Sequence, residues 1–294
     1  MRNSKKKVAN FLIGVTLVCV IVGLTSREAQ QSIDIIRDEI QTNKHWINYK
    51  LGRPLKGTPE LYKRAERLTE KNLKIGAPIF MRVFKLEAEL ELWMQGENGL
   101  KLFAVYPICR WSGGLGPKIK EGDHQSPEGF YTVAKRQLNA NSRWYKSFNI
   151  GYPNLFDRQF KRTGSYLMVH GGCSSVGCYA MTNDVMKEIW DIVRAALNGG
   201  QKRFAIHIFP FRMTNRNMYV YADKKWFEYW KNLKQGYDLF ETSKVPPEVS
   251  VCKSKYKFVA GKSSKSGNAP LLKSSCPEIS TNEKKSDPGK KKTN

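Results

Sequence analysis

Acidic side chains are few beside basic ones, 26 against 50, and histidine is rarer still, with four in 294 residues. None of the six cysteines forms a C-x2-C pair, so the knuckle on which most structural zinc sites are built is missing. The chain carries no internal repeat, which excludes solenoid and propeller architectures. Large apolar residues thin out after about Val245, where Lys, Ser, Pro and Gly take over. That stretch cannot supply a second core, and residues 245–294 are expected to be a disordered basic tail.

What is present begins with RNSKKK at residues 2–7, followed by VANFLIGVTLVCVIVGL from Val8 to Leu24 without a single charge. The run lies in length between a signal-peptide core and a minimal membrane span, so residues 1–26 are expected to be either a signal peptide or an inner-membrane anchor. The leading lysines hold that end in the cytoplasm and send the rest out, to the periplasm or cell envelope. Export makes disulfides admissible. With Cys19 inside the apolar run, five cysteines remain, an odd number that leaves at least one thiol free or paired between chains. Export also redirects the net charge of +24 from nucleic acid toward an anionic membrane surface or wall polymer, or toward nothing beyond a solvated surface.

Between the ends, Ile33, Ile36, Ile40 and Trp46, then Leu61, Ala65, Leu68 and Leu73, recur near helical spacing and predict a helical neck over residues 27–75. From Ile79 the pattern becomes β-like: IFMRVFK, ELELWM and KLFAVYPICRWS, the last two joined by the turn GENG, then GFYTVAK, SYLMVH and RFAIHIFPF. A helix with an apolar stripe is expected from Asn183 to Leu197, capped by Thr182 or Asn183 and ended by Gly199, and an aromatic-rich one near Trp226 to Leu239. The fold class is therefore α+β: a β-rich domain of mixed sheets over residues 76–244 with flanking helices.

The segment VHGGCSSVGCYAMTN, Val169 to Asn183, concentrates chemistry. His170 ends a strand before two glycines, and Cys178 follows Gly177 ahead of the predicted helix, whose N-terminus favours an anion. A thiolate at Cys178, stabilised by an imidazole, with backbone N–H groups of Gly177, Cys178 and Tyr179 as an oxyanion hole, is one reading. A Cys173–Cys178 disulfide and an H-x2-C-x4-C metal clip on His170, Cys173 and Cys178 are the others. On local spacing all three stay open.

A second segment, G-D-x-x-S-P-E-G-x-Y from Gly122 to Tyr131, joins S-x-G-C at Ser175–Cys178 and the upstream His170–Gly171. Together they resemble the murein L,D-transpeptidase family with its YkuD-type catalytic domain, over roughly Gly76 to Arg212. The resemblance implies a β-rich YkuD-like fold, Cys178 as nucleophile, His170 as its base and the carbonyl of Gly171 as the group that orients the imidazole. Most members carry histidine before G-C, where this chain has Val176, and an arginine or asparagine after the cysteine, where it has Tyr179. The S-V-G-C-Y-A-M-T form, with H-I-F-P-F-R-M-T at His207–Thr214, resembles the YafK-type branch.

What the resemblance implies is an exported cysteine acyl-transferase acting on peptidoglycan stem peptides through a thioester, without metal or organic cofactor, and taking part in wall growth, turnover and cell shape. A hydrolase cleaving a diaminopimelate-linked peptide or a wall-attached lipoprotein is the alternative, and a non-catalytic basic wall-binding protein the second. Ser175, Gly177 and Tyr179 beside the nucleophile, and Tyr152, Asn154 and Arg212 farther off, are the candidate substrate contacts. His124 is read as a surface loop residue, His207 as structural, and Asp123, Pro127 and Gly129 as turn-building.

Overall fold

A computed structural model describes residues 26–262 and 264–276. The apolar run of residues 8–24 and the last part of the basic tail lie outside them. Among the described residues no helix is long and apolar enough to cross a membrane.

Helix α1, Ser26–Lys50, precedes a short 3-10 turn and α2, Arg64–Glu70. Instead of standing apart, α1 lies on the β-rich body. The Gln31 amide donates to Val220 O at 2.7 Å, and buried His45 places Nδ1 3.0 Å from Ile108 O.

The main sheet runs in the order β3-β2-β1-β9-β4, from Gly99–Pro107, Glu89–Gly96, Ile79–Phe84, Arg203–Phe209 and Gly129–Ala134. The β2–β3 hairpin turns where the GENG signal falls, with Gly99 at φ +114°, a conformation L side chains avoid. β1 and β9 pair in parallel at the centre, and every residue of β1 is buried, as central strands covered on both faces must be. Arg82 is tolerated there because its guanidinium meets Glu91 at 2.7 Å and Glu241 at 2.6 Å.

One face of this sheet packs on α4, Asn183–Asn198, whose stripe of Val185, Ile189, Ile192, Val193 and Ala196 is fully buried, each large aliphatic side chain contributing about 1.5–3 kcal/mol. Thr182 caps α4 by accepting the Val185 N–H. The other face is covered by α6, Phe227–Ser243, through Trp230, Leu233, Tyr237 and Phe240.

A second sheet, β5-β6-β7-β8, comprises Leu138–Asn139, Ser147–Asn149, Met168–His170 and Tyr179–Ala180, and carries the chemistry-bearing segment. Helices α3, Leu155–Gln159, and α5, Asn215–Val220, complete the body.

The basic segment departs from expectation. Residues 248–252 and 255–259 form the hairpin β10–β11, β12 adds at Lys273–Ser274, and Cys252 bonds to Cys276. Val251 and Tyr256 are fully buried. Lysine-rich composition masked a strand whose alternate residues face the core, so disorder does not begin at residue 245.

Candidate active site

His170 is the last residue of β7, and Gly171 turns the chain away with its N–H donated to Tyr145 O at 3.0 Å. The loop returns to β8, where Met181 N–H donates to His170 O at 2.7 Å and Cys173 N–H to Met181 O at 3.2 Å. Cys173 is disulfide-bonded to Cys109 across 64 residues, with Cα atoms 5.2 Å apart. That pairing overturns the Cys173–Cys178 disulfide and removes one sulfur from the H-x2-C-x4-C metal reading. Gly177 has φ +113°, and a Cβ there would lie 3.1 Å from Leu167 Cδ1, so a side chain beside Cys178 would be strained.

The parallel register pairs Val169 with Tyr179 and His170 with Ala180. Cys178 immediately precedes β8, and its sulfur lies against the backbone of β7 at Met168. Cys178 is the free cysteine among the described residues and is half-buried. Its Sγ accepts the Met168 N–H at 3.4 Å and its thiol points to Tyr166 O at 3.6 Å; the imidazole is not among its hydrogen-bond partners. Burial pushes the Cys178 thiol up, opposed by the Met168 N–H and the charge of Lys118.

His170 is buried, with Nδ1 2.5 Å from Gly171 O. A carbonyl only accepts, so Nδ1 carries the proton and Nε2 keeps its lone pair. Trp144 stacks on the ring at 5.9 Å and 21°. Burial pulls the imidazole below its ordinary value, and the carbonyl contact partly offsets this. Burial thus favours the neutral form of both the thiol and the imidazole.

Three serines frame the backbone at Cys178. Cys178 O accepts Ser175 Oγ at 2.7 Å and Ser126 Oγ at 3.1 Å, and Gly177 N–H donates to Ser112 Oγ at 2.5 Å. The Gly177 N–H is thus engaged and cannot serve an oxyanion as expected, while Tyr179 lies within the β7–β8 ladder. The Tyr179 ring is fully buried and its hydroxyl donates to Pro127 O at 2.6 Å. Helix α4 starts at Asn183, beyond β8, so Met168 and Lys118, not a helix end, are the groups acting on the sulfur.

The S-P-E-G loop is pinned from below by fully buried Lys85, whose Nζ reaches Gly114 O at 2.7 Å and Gly116 O, Ser126 O and Glu128 Oε1 at 3.0 Å each. Asp123 accepts the N–H groups of Ile119, Lys120 and Gln125, closing the turn read from the sequence. His124 lies exposed in that loop.

The other candidate contacts are not brought to the thiol. Tyr152 donates its hydroxyl to Lys118 O at 3.2 Å, and Asn154 caps α3 while its amide reaches Phe130 O and the Tyr256 hydroxyl. Arg212 binds Glu89 and Glu91 on β2. Sequence reasoning missed Ser112, Lys118, Trp144 and Tyr166. Only Lys118 left a signal, as the lysine of G-P-K just before the G-D-x-x-S-P stretch.

The L,D-transpeptidase catalytic domain family, YkuD, matches residues 93–208, a span that holds both His170 and Cys178. "Putative L,D-transpeptidase YafK" of Escherichia coli K12 is 46% identical over 182 residues, 62% of this chain and 74% of that protein. Among solved structures, the helical cell shape determining protein Pgp2 of Campylobacter jejuni aligns at TM-score 0.37 and 19% identity, covering 61% of this chain and 68% of that one. Bd1075 of Bdellovibrio bacteriovorus aligns at 0.32 and 21%, covering 54% and 71%. With the match spanning His170, Gly171 and the free thiol of Cys178, the chain belongs to the L,D-transpeptidase family with the YkuD catalytic domain.

Proposed function

We propose that this protein is an exported acyl-transferase of the cell envelope that cuts and rejoins peptidoglycan stem peptides through a Cys178 thioester. The observation that carries the reading is a free, half-buried thiol just ahead of β8, against β7, the strand that ends in an imidazole whose tautomer is fixed by Gly171 O. Nε2 of His170 takes the thiol proton as sulfur attacks the carbonyl on the L-centre of a diaminopimelate residue. The proton then passes to the departing amine, leaving an S-acyl enzyme. The Cys178 backbone N–H is the donor offered to the oxyanion, since that of Gly177 is held by Ser112.

An acceptor amine gives a cross-link or a protein attachment, and water gives hydrolysis, including release of a wall-bound lipoprotein. The rim favours extended peptide over a deep small-molecule pocket: Tyr166 and Val176 stand 73% and 67% exposed. Incubating purified muropeptides with the wild type and with Cys178→Ala, and weighing the products, tests the proposal. Cross-linked or shortened stems from the wild type alone support it; identical products from both proteins reject the nucleophile.

A further inference from the structure

Ser112 belongs to neither motif, yet its backbone and its hydroxyl are spent on the segments that carry them. Its N–H donates to Ser126 Oγ at 3.1 Å, and its carbonyl accepts the Ser126 N–H at 2.9 Å. Its Oγ accepts the Gly177 N–H and lies 3.1 Å from Ser175 Oγ. Two residues earlier, Arg110 and Ala180 of β8 exchange backbone hydrogen bonds at 3.0 and 2.8 Å, so the segment that presents Ser112 is tied to the sheet.

The acceptors dictate the direction of every bond in this cluster. The Cys178 carbonyl only accepts, so Ser126 and Ser175 both spend their hydroxyl protons on it. Ser175 then has no proton left for Ser112, and the Ser112 hydroxyl is the donor between the two. Two one-way chains result. One runs from the Gly177 N–H through Ser112 and Ser175 to Cys178 O, the other from the Ser112 N–H through Ser126 to the same oxygen, and each link polarises the next.

The chains grip the peptide units on either side of the Gly177–Cys178 bond, by the N–H of the unit before and the carbonyl of the unit after. The unit between them carries the Cys178 N–H, which has no acceptor among the described residues. Gly177, at φ +113°, gives that unit little steric restraint of its own, so its orientation falls to the hydrogen bonds around it. Ser112 is the serine common to both chains.

We propose that Ser112 is a positioning residue that aims the Cys178 N–H at the oxyanion, acting through Gly177 and the Cys178 carbonyl and not on the sulfur. The assignment rests on the thioester reading and separates two reactions of one thiol. Acylation passes through a tetrahedral oxyanion, whereas alkylation by iodoacetamide forms none.

Stopped-flow acylation of the full chain by p-nitrophenyl acetate tests this. Sulfur bonds to the acetyl carbon, the ester C–O bond breaks to release p-nitrophenolate, and the thiol proton leaves through His170 to solvent. Ser112→Ala should slow the burst by about 10- to 100-fold, in the acylation rate constant and not in reagent affinity, and leave iodoacetamide alkylation unchanged. Ser112→Thr keeps the hydroxyl and should restore the burst. Ser175→Ala breaks the first chain one link further on and should show the same split, which decides the matter if the thermal midpoint shows Ser112→Ala to be unfolded. A wild-type burst that folded Ser112→Ala leaves intact, a parallel fall in acylation and alkylation, or no recovery in folded Ser112→Thr would each overturn the assignment while the nucleophile stands. No burst from the wild type would reject the thioester reading and this assignment with it.

Discussion

Two buried histidines, His170 and His207, share a residue type and a strand setting and differ in everything that decides chemistry. The first ends β7 where Gly171 folds its carbonyl back onto Nδ1, so one nitrogen is committed and the other is left basic. The second sits mid-strand between two phenylalanines, its buried Nδ1 without a hydrogen-bond partner. Burial lowers both. Only an oriented acceptor converts a buried imidazole into a base with a defined direction, and that acceptor comes from a turn, not from the strand.

The comparison breaks most sharply under mutation of the reacting pair. Cys178→Ala is expected to abolish stem-peptide turnover and His170→Gln to lower kcat/KM by about 10²- to 10⁴-fold, both with unfolding midpoints near wild type. His207→Phe should leave turnover unchanged. Muropeptide kinetics on the three variants decide whether the two imidazoles are as different as their surroundings imply.

Acid stability reverses the contrast. The unfolded chain takes a proton on His207 near 6.5, the folded chain only near 3, so stability is lost as pH falls between those values. The loss approaches about 1.4 kcal/mol per pH unit, of order 5 kcal/mol in total. His207→Phe should flatten this part of the profile relative to wild type in urea unfolding at stepped pH. Parallel profiles would mean that the buried ring acquires its proton without unfolding.

A smaller effect separates the two disulfides. Removing Cys109–Cys173, which spans 64 residues, should cost about 2–4 kcal/mol and also reduce turnover, because Cys173 follows His170 by three residues on the same loop. Removing Cys252–Cys276, which spans 24, should reduce stability somewhat less and leave turnover alone. Urea unfolding and muropeptide assays on paired Cys→Ala variants read both effects. Equal turnover in the two pairs would show that the first bridge has no hold on His170.

Much of this was legible from local pattern. Strand alternation, the GENG turn and the Thr182 cap are short-range signals, and each element they predict is present. Polar side chains far from the motif were not legible, because their partners are remote in sequence. Asn154 meets Tyr256, and Arg212 meets Glu89 and Glu91. A sequence shows that an amide or guanidinium is available, not which distant group takes its hydrogen bonds. The β10–β11 hairpin was hidden for another reason. Its core-facing residues alternate with lysines and serines, so composition alone reads as tail.

The subtlest test concerns the field at the sulfur. Lys118 is buried, with Nζ on Lys120 O at 2.9 Å and Asp123 Oδ1 at 2.5 Å, and its charge draws the Cys178 thiol down against burial. Lys118→Met should therefore raise the thiol further, shrinking the thiolate fraction at any pH below its midpoint. Because burial dominates and Lys118 acts after the Met168 N–H, the effect should be a modest slowing of iodoacetamide alkylation near neutral pH. At high pH, where the thiolate is complete in both proteins, the rates should converge. Lys118→Arg keeps the charge and should restore the profile, which separates the field from any movement of the Asp123 turn. A midpoint unchanged by Lys118→Met would leave burial and the Met168 N–H as the only groups that set this thiol.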